Sequence, residues 1–213
     1  IQVLNISIAY DDEVHDCDGD SVVSLLVTDL YKAGIPSIVA SGNNGHSFYD
    51  DCRVEIPADS NGAFTVGSYI GNWEYSNEEE VRRGTIASFS DRGGTVSEGN
   101  RRTIIDVVAP GSVQYASTIQ VNNFEPFTGT SASAPIVTGA AVNLIDFYRY
   151  NYSNAIDTPG KLTAHLLAMG DREGEYGVIN TGFSNLWGAG RLKMRRWDSK
   201  GLDDPYDWFS LST

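Results

Sequence analysis

Apolar positions along this chain switch between two patterns. Val3 to Ala9 is a short, mostly apolar run at the very start of the sequence, the signature of a buried strand. Ser21 to Ala33 carries Val22, Val23, Leu25, Leu26, Leu30 and Tyr31 at helical spacing, and Gly34 supplies the stop. Ile35 to Ser41 is again a compact apolar run, closed by the turn Gly42-Asn43-Asn44-Gly45. Strand, helix and strand at these distances predict a βαβ unit with parallel strands. Further strands are predicted over Ala63–Tyr69, Thr85–Ser90 and Thr103–Ala109, with an edge strand over Gln114–Ile119. Ile136, Val137, Ala140, Ala141, Leu144, Ile145 and Tyr148 predict a long helix with Pro135 in its first turn, and Thr158–Met169 a shorter one.

This alternation predicts an α/β fold with an open, mostly parallel central sheet flanked by helices. In such sheets ligands collect beyond the carboxyl ends of the strands, where Ser7–Tyr10 and Ser41–Gly45 fall. No internal repeat or low-complexity linker divides the chain, so residues 1–213 read as one domain. Residues 196–213, aromatic and charged, read as a tail or the start of a following segment.

Composition narrows the function. The 213 residues are 41% hydrophobic, enough for a packed core. A formal charge of -13 and a pI near 4.5 disfavour nucleic acid and anionic membrane surfaces as partners. No apolar run approaches the roughly 18 residues of a membrane span. The opening on a core strand, with no leader before it, places residue 1 in mid-fold.

The densest chemistry lies in Phe127-Thr128-Gly129-Thr130-Ser131-Ala132-Ser133-Ala134-Pro135. A serine stands where a tight turn becomes a buried helix, near the positive end of the helix dipole. Small neighbours leave room for a substrate backbone. A plain helix start with Thr130 or Ser131 as its cap would read the same way, so the rest of the chain decides.

Gly129-Thr130-Ser131-Ala132-Ser133-Ala134-Pro135 closely resembles the nucleophile signature of the subtilisin-like serine proteases (subtilases). Six further stretches are similar to landmarks of that family and fall in its order: Leu4-Asn5-Ile6-Ser7-Ile8-Ala9, Ala40-Ser41-Gly42-Asn43-Asn44-Gly45, Phe64-Thr65-Val66-Gly67-Ser68, Ala87-Ser88-Phe89-Ser90, Asp106-Val107-Val108-Ala109-Pro110-Gly111, and Trp187-Gly188-Ala189-Gly190-Arg191. The resemblance implies the three-layer subtilisin-like fold, lacking its N-terminal part, and a serine endopeptidase acting on extended polypeptide. Ser131 falls at the nucleophile, and Asn43 at the oxyanion-hole asparagine. Ser7, Ile8, Ala9 and Tyr10 would form one wall of the substrate groove; Ala40, Ser41 and Gly42 the other, with Thr130 at the helix mouth. The family usually has glycine where Ala9 and Tyr10 stand, so the shape of the pocket is not implied. The sister family of sedolisins uses an aspartate at the oxyanion hole, and Asn43 argues against it.

The base and its carboxylate partner are missing. His15, His46 and His165 lie in none of the family's histidine settings, and no Asp-Thr-Gly or Asp-Ser-Gly occurs. The resemblance places both upstream of Ile1, on a missing N-terminal part of the same catalytic domain, which becomes the expected partner. A catalytically inactive, peptide-binding subtilase-like module is the rival reading. No organic cofactor is required and no metal site is assigned. The carboxylates of Asp11–Glu13 and Asp16–Asp20 suit calcium, although their spacing is not that of an EF-hand and a solvated acidic loop is the preferred reading. Cys17 and Cys52, too few for a disulfide framework, sit in loops after neighbouring strands. A single bridge between them would fit a secreted, extracellular enzyme.

Overall fold

The computed structural model describes residues 2–10, 17–45, 53–71, 74–76, 79–81, 84–93, 105–112, 114–118, 123–151, 156–171, 173–174, 177–178 and 184–194. In chain order the elements are β1 (Leu4–Ile6), α1 (Val22–Lys32), β2 (Ser37–Ala40), β3 (Ala63–Tyr69), β4 (Glu74–Ser76), β5 (Glu79–Val81), β6 (Val107–Pro110), β7 (Gln114–Ser117), β8 (Phe124–Phe127), α2 (Thr130–Asn151), α3 (Pro159–Ala168), β9 (Gly170–Asp171), β10 (Glu173–Gly174), β11 (Gly177–Val178) and β12 (Arg191–Leu192). The main sheet runs β1-β2-β3-β6-β12-β9. All its pairings are parallel except β12 with β9. The mostly parallel α/β architecture is the one the alternation predicts.

Alternation within the strands divides the core into two layers. Ile38, Phe64, Val66, Val107 and Ala109 face α2 and α3, where Ala134, Val137, Ala141, Leu144, Leu162 and Leu166 meet them. Val39, Ala63, Val108 and Ile105 face the other way, with Val27 of α1 and Val54. With both faces covered, β2, β3 and β6 are buried end to end, and that is why they read as continuous apolar runs; β1, expected to be a buried strand, lies at the sheet edge with Leu4 and Asn5 exposed.

Several elements differ from expectation. Thr85–Ser90 is a chain of turns with one bridge, Ile86 to Tyr69, rather than a strand. Its backbone groups go to β3 through Ala87 N–H and Ser68 O, 3.0 Å, and through the Ser90 hydroxyl, which accepts from Ser68 N–H at 2.9 Å. β7 is not an edge of the main sheet but half of a separate antiparallel hairpin with β8. The apolar positions of α1 are also mostly turned outward. Only Ser24 and Val27 are buried, while Val22 and Leu26 are 75% and 57% exposed. Leu4 of β1, the outermost strand of the sheet, is exposed as well.

Helix α2 begins at Thr130, earlier than the apolar spacing places it, so Pro135 lies in its second turn. Proline has no N–H to give, and the carbonyl four residues back, that of Ser131, loses its helical partner. Ser7 Oγ donates to that carbonyl at 3.1 Å. The proline therefore frees an acceptor at the helix mouth, and the segment after β1 docks on it. No helix among the described residues is long and apolar enough to cross a membrane.

Candidate active site at the mouth of helix α2

Three segments converge on Ser131. The first is the start of α2, held to the sheet by the Ser133 hydroxyl, which donates to Ala109 O at 3.0 Å. Gly111 lets the helix come this close: a Cβ there would meet the Ser133 and Ser68 hydroxyls and lie 2.7 Å from Gly129 O. The second is Ser7–Tyr10. Ser131 Oγ donates to Ser7 O at 3.0 Å, reciprocating the bond from Ser7 Oγ to Ser131 O. Asn5 reinforces this seam, with Nδ2 donating to Ser7 Oγ at 3.0 Å and Oδ1 accepting from Thr138 Oγ1 at 3.0 Å.

The third segment is the Ser41–Gly45 turn. Asn43 Oδ1 accepts from Thr130 N–H at 2.8 Å and lies 3.1 Å from Thr130 Oγ1. An N–H donor requires an acceptor, so this contact fixes which end of the amide faces the helix. The amide packs flat against Gly129, where a Cβ would lie 3.4 Å from both Nδ2 and Oδ1, and the NH2 group is the end that Thr130 does not engage. Thr130 Oγ1 also lies 3.2 Å from both Gly42 N and Gly42 O, tying the turn to the helix a second time. The Ser131 N–H belongs to the first turn of α2, where no carbonyl of the helix can reach it. The turn that carries the Asn43 carboxamide is thus tied to Thr130, the residue next to the one bearing the hydroxyl. Fixed N–H donors favour negative charge on an oxygen placed between them.

Of the expected groove residues, Ser7, Ile8, Ala9 and Tyr10 leave the sheet beyond β1, and Ala40, Ser41 and Gly42 continue β2 into the turn. Ile8 is exposed; Ala40, Ser41, Gly42 and Thr130 are buried. His165 is remote. It stacks edge-on against Tyr148, 4.8 Å between ring centres, and Tyr148 is about 25 Å along α2 from Ser131 at 1.5 Å per residue. Its Nδ1 lies 2.7 Å from Lys161 O. His15, His46, Cys52, residues 11–16 of the acidic loop and the tail 196–213 lie outside the described residues. In the rest of that loop Asp20 N–H donates to Asp18 Oδ1 at 3.1 Å. Cys17 is buried and disulfide-bonded.

Two acids have no counterpart among the residues singled out from the sequence. Asp91 is 1% exposed, its backbone N–H donates to Gly42 O at 3.2 Å, and Glu55 lies beside it. Burial pushes the Asp91 carboxyl up to about 8, and the Glu55 charge adds to the effect. The backbone amides of Asn44 and Gly45 and the charge of Arg53 offset only part of this. The available signal was an aspartate directly after the small-residue landmark Ala87–Ser90. A carboxyl whose pKa is raised on folding binds its proton more tightly in the native state, so stability falls as pH rises from the ordinary carboxylate range toward 8. The limiting slope is about 1.4 kcal/mol per pH unit. Asp91→Asn, which keeps the shape of the neutral acid, should abolish this decline. Urea midpoints at pH 5 and pH 8 check it: the variant's gain over the parent is much larger at pH 8 than at pH 5.

Comparison with known proteins identifies the family. The model of the subtilase family matches residues 1–181. Serine protease AprX of Bacillus subtilis (strain 168) is 28% identical over 159 residues, covering 68% of this chain and 34% of that protein. Subtilisin-like protease 2 of Trichophyton tonsurans is 31% identical over 144 residues, covering 67% and 27%. The chain thus spans about a third or less of the curated relatives it matches. Among solved structures, sphericase superposes with a TM-score of 0.60 at 22% identity, over 89% of this chain and 56% of its own. The S41 psychrophilic protease does so with 0.64 at 19%, over 91% and 58%. With its family model matched over most of its length, on a fold shared with these proteases, this chain belongs to the subtilase family.

Proposed function

We propose that this chain is the nucleophile-bearing part of a serine endopeptidase's catalytic domain, with Ser131 as nucleophile and Asn43 as oxyanion donor. The observation that carries the reading is the bond from Thr130 N–H to Asn43 Oδ1, 2.8 Å. It ties the distant Ser-Gly-Asn turn to the helix mouth and commits Oδ1 to Thr130, leaving the amide NH2 as the end that can donate elsewhere. In the reaction Ser131 Oγ passes its proton to a base and bonds to the scissile carbonyl carbon. The carbonyl oxygen becomes an anion between Asn43 Nδ2 and Ser131 N–H. The amine leaves with the proton, and water then releases the acyl group from Ser131. Every step uses protein groups and water, so the reaction calls for no organic cofactor. An extended polypeptide would lie between Ser7–Tyr10 and Ala40–Gly42, adding as a strand.

The base and its carboxylate are assigned to an upstream part of the same catalytic domain. Leu4 at the β1 edge and the outward Val22, Val23, Leu25 and Leu26 of α1 are exposed apolar residues that this part would cover. A buried Cys17–Cys52 bridge would suit a secreted protein.

The rival reading, a peptide-binding module without catalysis, is favoured by one observation: Ser131 Oγ donates to the Ser7 carbonyl and, among the described residues, touches no imidazole or carboxylate. An active-site fluorophosphonate applied to the complete protein separates the two. The endopeptidase predicts stoichiometric modification, mapped by peptide mass to Ser131; absence of modification at Ser131 selects the module.

A further inference from the structure

The two proposed walls run as hydrogen-bonded neighbours only as far as Ile6 and Val39. Beyond that point they part, and a third segment joins them. Glu55 N–H donates to Ser41 O at 2.9 Å, while Tyr10 and Ile56 exchange backbone bonds of 3.0 and 3.1 Å. Between the walls this leaves a recess closed at its far end by Glu55–Ile56 and bounded at its near end by the Ser131 hydroxyl on Ser7 O.

The closed end is acidic. Glu55 is half-buried, and Asn44 Nδ2 donates to its Oε1 at 2.7 Å, orienting the carboxylate along the turn. A Cβ on Gly42 would find Glu55 Cγ and Cδ at 2.7 and 2.8 Å and Asp91 Oδ2 closer still, so both carboxyl groups converge on one side of that glycine. The Asn44 and Gly45 amides lie near the Asp91 carboxyl without reaching full hydrogen-bond geometry, and the buried Ser41 hydroxyl has no partner among the described residues. Buried acceptors without donors are costly, and a donor brought by a ligand removes that cost. The local positive charge on Asp91 comes from the exposed Arg53.

We propose that this recess takes the side chain of a lysine or arginine, at the residue that donates the attacked carbonyl, with Glu55 as the carboxylate it meets and Asp91 as the buried acid behind it. The proposal rests on the assignment of Ser131 and Asn43. An apolar side chain would cover the Glu55 carboxylate and strip its water without replacing the lost hydrogen bonds. An acidic one would be repelled by it. A basic side chain brings donors and charge together. Asp91 gives up its proton more readily as that charge arrives.

The test is peptide binding to the complete protein carrying Ser131→Ala, which removes cleavage from the measurement. Two fluorescent peptides differ only in arginine against citrulline, a neutral group of nearly the same shape. The arginine peptide should bind roughly 10- to 100-fold more tightly, the range expected of a charged hydrogen bond. Adding Glu55→Gln should remove that preference while leaving citrulline binding in place. Equal affinities, a preference that survives Glu55→Gln, or no binding of either peptide each overturn the proposal. Fluorophosphonate modification of Ser131 in the unsubstituted protein does not depend on this recess. Modification without an arginine preference refutes the specificity alone, and a preference without modification refutes the nucleophile alone.

Discussion

Ser131→Ala in the complete protein should abolish peptide hydrolysis while leaving peptide binding nearly unchanged. The expected loss in kcat is about 10⁶-fold, the size of the effect in subtilisin when its nucleophile is removed. The reason for so large a loss is local. Ser133 Oγ is committed to Ala109 O inside the core, and Ser7 Oγ to the Ser131 carbonyl, so neither hydroxyl can take over. The hydroxyl removed makes a single hydrogen bond among the described residues, to Ser7 O, and its deletion costs the fold little. Steady-state hydrolysis of a fluorogenic peptide, with binding measured separately, checks both halves. Retained turnover would mean that the reaction runs elsewhere.

Asn43→Ala should lower kcat by roughly 10²–10³ with a much smaller change in KM, the magnitude established for the equivalent donor in subtilisin. The effect falls on kcat because the oxygen gains its charge only after attack, so the Nδ2 donor acts more on the transition state than on bound substrate. One further contact bears on the outcome. Asn43 Oδ1 also accepts from Thr130 N–H, so alanine leaves a helix-start donor to water as well as removing the oxyanion donor. Asn43 is exposed, and water can satisfy that N–H, so the fold should tolerate the change. A fall in kcat with an unchanged urea midpoint identifies loss of the donor. Equal falls in activity and stability would point to a turn that has come loose.

The buried strands and the long helix are legible in the chain because burial on both faces leaves a strong pattern. β2, β3 and β6 are continuous apolar runs, and α2 carries its core residues at helical spacing. Outside that pattern three places are less legible. The apolar positions of α1 match an inward-facing stripe, yet Val22 and Leu26 point away from the sheet; periodicity shows that a face exists and not what covers it. Thr85–Ser90 has strand-like composition but spends its hydrogen bonds on β3 and on the Gly42–Gly45 turn, where Gly45 N–H reaches Phe89 O at 2.8 Å. The start of α2 is hidden because Thr130 to Ala134 carry no large apolar residue, and what fixes the helix there is the Asn43 side chain, far away in sequence.

The site divides along the same line. Ser131, Asn43 and the two walls fall within short motifs, so residue type and order identify them. Glu55 and Asp91 cannot be found that way. Their significance comes from converging behind Gly42, a contact between segments 36 residues apart in the sequence that no local pattern encodes. The role of Pro135 is half legible: a proline near a helix start is unremarkable until the register shows that it releases the carbonyl of Ser131 itself.

The central claim is that one oxygen fits between the Asn43 amide and the Ser131 N–H when Ser131 carries a tetrahedral group. The direct measurement is a crystal structure of the complete protein after reaction with a fluorophosphonate. The account predicts a phosphonyl oxygen within about 3 Å of both Asn43 Nδ2 and Ser131 N, with the Ser131 side chain turned away from Ser7 O. A phosphonyl oxygen directed to solvent, with Asn43 Nδ2 bonded elsewhere, would contradict it.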